Sequence, residues 1–133
     1  MGAVRIERDG GVARVTLARP ERHNALDPAT IAELTVAFAD VGDARAVVLA
    51  GDGPSFCAGG DVEWMRSTAA VTFEESVADA HRLRTLLEAV DGCPAPVVAR
   101  VHGHALGGSL EEIYARPGAA PRPYLPDDEE GAA

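Results

Sequence analysis

Two short apolar runs, each ending in a glycine-rich loop that leads toward a helix, constrain the fold of this chain more than any other feature. Residues 46–50 (AVVLA) sit between turn residues with no polar alternation, the pattern of a strand covered on both faces within a partly parallel sheet. The loop that follows, residues 51–60 (GDGPSFCAGG), leads to Asp61, a residue suited to cap a short helix through Val62, Trp64 and Met65. Farther on, Pro94 and Pro96 break the chain before a second strand with Val97, Val98 and Val101. That strand passes through Gly103 into Gly107, Gly108 and Ser109, where a new helix can start. The expected class is α/β with a partly parallel sheet.

The remaining elements follow from local patterns. Residues 4–8 and 12–17 alternate apolar with polar or small residues around Asp9, Gly10 and Gly11, which predicts a hairpin. After a polar loop over residues 19–26, Asp27 can cap a helix with Pro28 at its first position. Ile31, Leu34 and Phe38 follow at helical spacing, and the helix should end near residues 40–42. Thr72 and Glu75 form a capping-box pattern ahead of Val77, Ala80, Leu83, Leu87 and Val90, which predicts an amphipathic helix of several turns. At 133 residues the chain is one domain's worth, and we divide it into a domain over residues 1–110 and a tail over residues 111–133. The tail carries Pro117, Pro121, Pro123 and Pro126, an acidic run at residues 127–130 and a net charge of −4. It is expected to be disordered.

Charge and residue usage remove several function classes. A net charge of −9 disfavours generic attraction to nucleic acid or anionic membranes. All 12 basic residues are arginine, so neither a Walker-type phosphate-binding lysine nor a Schiff base is available. No apolar run approaches the length of a membrane span, and the first residues lack the apolar stretch of a signal peptide. Two cysteines, Cys57 and Cys93, are too few for a disulfide framework and suit a reducing, cytoplasmic compartment. His102 and His104 alternate on the second strand, but no third ligand is spaced to complete a metal site. His23 and His81 have no acidic or thiol partner at a suggestive spacing. Cys57 reads as a small buried residue, since its loop offers no evident base. Ser109 would need a glycine where Glu111 stands to form a nucleophile elbow, and Gly103, Gly107 and Gly108 miss the spacing of a dinucleotide site.

Chemistry can reside in the two glycine-rich loops, residues 55–61 (SFCAGGD) and 103–109 (GHALGGS). Such loops leave backbone N–H groups free and let a ligand approach closely, so two donors from different loops could share one oxygen. Turns and caps alone would also account for the glycines. The segments RPERHNAL (19–26), VVLAGDGPSFCAGGDVEWM (47–65) and PVVARVHGHALGGS (96–109) resemble, in order and spacing, the three signature segments of the enoyl-CoA hydratase/isomerase, or crotonase, superfamily. With Asp61, Trp64, Met65 and a long following helix, the chain is most similar to the bacterial enoyl-CoA and methylglutaconyl-CoA hydratase branch.

The resemblance implies a spiral of repeated ββα units, assembled as trimers or hexamers, that binds acyl-CoA thioesters; coenzyme A arrives as part of the substrate, and no other cofactor is implied. By motif position, Gly60 and Gly108 would supply two N–H donors to the thioester oxygen and stabilise an enolate. Arg22 would lie near the bound CoA and meet a phosphate, and Ala58, Asp61 and Val62 would flank its pantetheine and adenine portions. Glu111 occupies the position of a catalytic glutamate that could orient or activate water, although it is also where the family pattern stops. The second catalytic glutamate lies farther along than this chain extends, since family chains are roughly twice as long. The resemblance therefore also implies an amino-terminal half with an unrelated ending, as a frameshift or fragment would produce. Three functional expectations follow: hydration of a 2-enoyl-CoA, an inactive remnant that binds CoA or associates with relatives, or an unrelated small nucleotide binder. A remnant would expose apolar faces and self-associate or aggregate.

Overall fold

The structure is a computed structural model and describes residues 2–106. Gly108, Ser109, Glu111 and the tail over residues 111–133 lie outside the described residues. The hairpin forms as its alternation dictates: β1 (Val4–Asp9) pairs antiparallel with β2 (Val12–Leu17). Helix α1 (Pro28–Ala39) begins where Asp27 accepts the Thr30 N–H and Pro28 takes the first position, a position where its missing N–H costs nothing. Strand β3 (Ala46–Gly51) then pairs parallel with β2, and the short helix α2 (Val62–Ser67) follows. Helix α3 (Phe73–Asp91) starts at a complete capping box of Thr72 and Glu75, and β4 (Val97–Ala99) closes the order β1-β2-β3-β4, parallel to β3. This is the expected α/β class with a partly parallel sheet.

Strand register assigns the two faces of the sheet. Ala13, Val15 and Leu17 of β2 lie beside Val47 and Leu49 of β3, and all five are buried. Ile31, Leu34 and Phe38 of α1 cover them, joined by Leu86 and Val90 of α3 and by Phe56 and Cys57 of the glycine-rich loop. The opposite face carries Arg14, Val48 and Val98, and Val98 is 53% exposed. The expectation that β3 is covered on both faces is met in part, since Val48 is half-buried and Ala50 buried on this face while the neighbouring β4 is open. Both long helices return to one side, so among the described residues only that side is layered. Thr16, on the other face, is buried, and its hydroxyl has no partner among the described residues. Its neighbour in register, Arg5, reaches across to Asp52 at 2.8 Å.

Two corrections concern helix and strand extent. In α3 the buried residues are Leu86 and Val90, while Val77 is 44% exposed, so the expected stripe from Val77 to Val90 is buried only toward its end. The helix packs against α1, and both of its buried residues lie in its carboxy-terminal half. The final strand stops at Ala99, and Val101, expected within it, is largely exposed. Beyond Ala99 the chain leaves the sheet and runs beside residues 56 and 57, with Phe56 N–H donating to His102 O at 2.9 Å. His102 and His104 are thus loop residues and do not alternate on a strand. Among the described residues no helix is long and apolar enough to cross a membrane.

Candidate functional site

Three loops at one end of the sheet, residues 19–26, 51–61 and 102–106, are laced into a single unit. The key to the lacing is Asn24, which is 1% exposed. Its side-chain N–H₂ faces the carbonyls of Asp52, Ser55 and Phe56 at 2.9, 3.0 and 3.2 Å, and its oxygen accepts the Arg19 N–H at 2.9 Å. Only an amide offers donors and an acceptor on one planar head, so this orientation is the one that satisfies every neighbour. Asn24 and His23 both adopt positive φ, 55° and 51°, a conformation that asparagine tolerates better than most residues. Gly51 is required for the same contact, because a Cβ there would come within 2.6 Å of Phe56 O.

The middle loop is paired along both sides. Toward the first loop, Ala58 N–H donates to His23 O, Leu26 N–H to Gly59 O at 2.7 Å, and Asp61 N–H to Leu26 O at 2.8 Å. Toward the third, Cys57 N–H donates to His104 O and Leu106 N–H to Cys57 O, both at 3.0 Å. His102 Nε2 donates to Gly53 O at 2.6 Å, which fixes the proton on that nitrogen because a carbonyl only accepts. Gly103, at φ 59°, passes so close to Pro54 O that any side chain would collide with it.

This pairing leaves the amide of Gly60 unspent. In the parallel bridge between Leu26 and Gly60, the bonds are made by Gly59 O and Asp61 N, so the N–H of Gly60 itself points away from Leu26. It has no hydrogen-bond partner among the described residues. Met65 lies over the same glycine, its Sδ 3.1 Å from where a Cβ would stand. Past Met65, an open groove of about 250 Å³ runs between α2 and α3, lined by Trp64, Thr68, Ser76 and Leu83 among others.

Charge is concentrated immediately beside this amide. Asp61 is 3% exposed and caps α2, accepting the Trp64 N–H at 3.1 Å. Both its oxygens lie 3.2 Å from Arg22 Nη2, with Arg19 Nη2 at 3.8 Å, and Arg22 also reaches Glu63 at 3.1 Å. Arg19 in turn pairs with Asp27, the cap of α1, at 2.8 Å. Burial pushes the Asp61 carboxyl up, but the Trp64 N–H and the Arg22 guanidinium outweigh it and hold it below the usual aspartate range. Asp27 is likewise lowered: burial opposes, and the two hydrogen bonds from Thr30 and the charge of Arg19 prevail.

Of the residues singled out from sequence, Arg22, Ala58, Gly60, Asp61 and Val62 fall within about one helical turn of this seam. Arg22 and Asp61 are bonded to each other, and Val62 is 59% exposed at the start of α2. Gly108 and Glu111 lie outside the described residues. Cys57 is fully buried, its thiol donating to Asn24 O at 3.2 Å, in keeping with a packing role. His23 lies with Nδ1 3.4 Å from Ser55 Oγ. Among the described residues no group of three His, Cys, Asp or Glu side chains could hold a metal. Asn24 went unremarked in the sequence, where its only signal was an amide residue inside a quoted motif.

Comparison with known proteins bears on this arrangement. A family described as Enoyl-CoA hydratase/isomerase matches residues 7–112. A probable enoyl-CoA hydratase of Mycobacterium tuberculosis is 38% identical over 102 residues, 75% of this chain and 39% of the relative. One from Rhodobacter capsulatus is 41% identical over 105 residues, 78% and 40% of the two chains. Among solved structures, an enoyl-CoA hydratase from Shewanella pealeana superposes with a TM-score of 0.80 at 34% identity, covering 86% of this chain and 44% of that one. An enoyl-CoA hydratase from Mycobacterium smegmatis gives 0.73 at 40% identity, with 79% and 42% covered. The chain thus spans about two fifths of the length of these curated relatives.

Proposed function

Because the chain belongs to the enoyl-CoA hydratase/isomerase family, we propose that it binds acyl-CoA thioesters and stabilises an enolate at the unspent Gly60 N–H. The single observation that carries this reading is that amide: it sits between the paired residues Gly59 and Asp61 and points away from Leu26, under Met65 at the edge of an open groove. Gly108, by its motif position, is the second donor. When water adds across a 2-enoyl thioester, its oxygen bonds to the β-carbon, negative charge passes to the thioester oxygen, and a proton is then taken up at the α-carbon. Donors aimed at that oxygen lower the barrier, each by about 3–4 kcal/mol in other enzymes. Glu111 is the general acid and base that orients the water and delivers the proton. The acyl chain follows the groove past Met65, while the CoA portion passes Ala58, Val62 and the Arg22–Asp61 pair. No cofactor beyond the substrate's own CoA takes part, and the setting is cytoplasmic. In an assembly with the remaining part of the fold, the chain forms trimers or hexamers.

A second reading has its own support. The chain spans about two fifths of its relatives, and Val98, Val101 and Leu106 are exposed, which suits an inactive remnant that binds CoA or associates with relatives. Loss of enoyl absorbance from crotonyl-CoA, followed with the purified chain, separates the two. Turnover that falls at least a hundredfold in Glu111→Gln supports the hydratase; binding of CoA without turnover supports the remnant. Failure to bind any acyl-CoA overturns the hydratase and leaves the remnant only its association with relatives.

A further inference from the structure

We propose that Arg22 is a positioning residue for the Gly60 N–H, acting through Asp61, and not a ligand to a phosphate. The inference rests on the acyl-thioester reading above and gives its Gly60 donor a mechanical support. The Gly60 N–H shares its peptide plane with Gly59 O, which accepts the Leu26 N–H at 2.7 Å, and since Gly60 has no side chain of its own, the other anchor of that amide is the next residue, Asp61. Asp61 is held at four points: its N–H on Leu26 O at 2.8 Å, its carbonyl accepting from Met65 N–H at 2.9 Å, its carboxylate on Trp64 N–H at 3.1 Å, and Arg22 at 3.2 Å. Three of these partners are main-chain groups, and Arg22 is the only one that supplies charge at hydrogen-bond distance. A carboxylate this deeply buried needs such a countercharge. Arg19 cannot take over, since it is 3.8 Å away and committed to Asp27, Ala25 O and the Thr30 hydroxyl. The same Arg22 nitrogen also lies 3.1 Å from Glu63. A phosphate approaching it would have to displace a carboxylate and enter the field of two.

Two measurements on the full chain test this. In the unliganded protein, the ¹H–¹⁵N shifts of Gly60 and Asp61, and exchange of the Asp61 N–H that is bonded to Leu26 O, report on this junction without any substrate. In the complex, a conjugated aryl-acryloyl thioester absorbs to the red when a donor polarises its carbonyl, and it can be offered both as the CoA ester and as the phosphate-free N-acetylcysteamine ester. Arg22→Ala is expected to move the Gly60 and Asp61 resonances, speed exchange of the Asp61 N–H at least tenfold, and abolish at least half of the red shift with both esters. Arg22→Lys should recover part of that shift. Glu63→Gln should leave it intact, because the Glu63 side chain is exposed and Arg22 keeps both its contacts to the Asp61 carboxylate without it. Unmoved Gly60 and Asp61 amides in Arg22→Ala overturn the proposal, as does a loss of affinity confined to the CoA ester, the mark of a phosphate ligand. Should the wild-type chain bind neither ester, the acyl-thioester reading fails, and the amide measurements still decide whether Arg22 positions Gly60.

Discussion

The three-loop unit and the arm formed by α2 and the first turns of α3 adjoin at Gly60, yet they are held by different physics. The loop unit is tied by long-range backbone pairs and one buried amide, each joining residues 28 or more positions apart. The arm is held by caps made within three residues, Asp61 to Trp64 and Thr72 to Glu75. It buries little: α2 contains no buried residue and Phe73 is 84% exposed. A donor at the boundary gains a fixed position from the first region. The second supplies a groove wall with few buried contacts, which can move without unfolding the loop unit.

The most severe way to break the contrast is Asn24→Ala. It strips partners from the Arg19 N–H and from carbonyls in the buried part of the 51–56 loop, and each buried group left unsatisfied costs about 1–3 kcal/mol. We expect a loss of roughly 4 kcal/mol in the denaturation midpoint, with the slope unchanged. A loss below roughly 1 kcal/mol would mean that the loops hold together without their amide.

The acid limb of stability sharpens the comparison at the seam itself. Asp61 is lowered in the folded state by Trp64 N–H and Arg22 against the opposing effect of burial. A lowered carboxylate contributes stability that is complete above its unfolded value and vanishes as the pH falls through the folded one. Stability measured in denaturant from pH 7 to pH 2 should therefore fall below the ordinary aspartate value of 3.8, and Asp61→Asn should flatten part of that fall. Asp27 keeps its own share, since it is lowered separately through Thr30 and Arg19. An acid limb in Asp61→Asn identical to wild type would show that the Arg22 pair contributes nothing.

Legibility in the sequence divides along the same line. Asp27 with Pro28, Asp61, and Thr72 with Glu75 each announce a helix start from neighbours within three residues, and α1, α2 and α3 begin where those patterns place them. The paired run and loop at residues 46–60 were equally readable, because strand and turn chemistry are local. What could not be read depends on distant partners. The buried face of α3 is set by where α1 lies, so Leu86 replaces the expected Val77 in the core. The Arg22–Asp61 pair joins residues 39 apart, and nothing near Arg22 in the sequence distinguishes a charge held by aspartate from one free for an anion. Asn24 hides for the same reason, as all three of its carbonyls come from the other loop.

The smallest effect is the one that tests whether the arm is a separate unit. Thr72→Ala removes the acceptor of the Glu75 N–H and with it half of the capping box, whose other half is the Thr72 N–H donating to Glu75 Oε2 at 2.9 Å. Such a change costs about 1 kcal/mol. The first turn of α3 is exposed and makes little contact with the core, so the cost should be spent on local fraying. Amide exchange should quicken through residues 73–77 and stay unchanged at Leu86, Val90 and Leu26, whose N–H is bonded to Gly59 O. Equal acceleration at Leu26 would join the two regions into one cooperative block, and the groove wall would then be as rigid as the donor beside it.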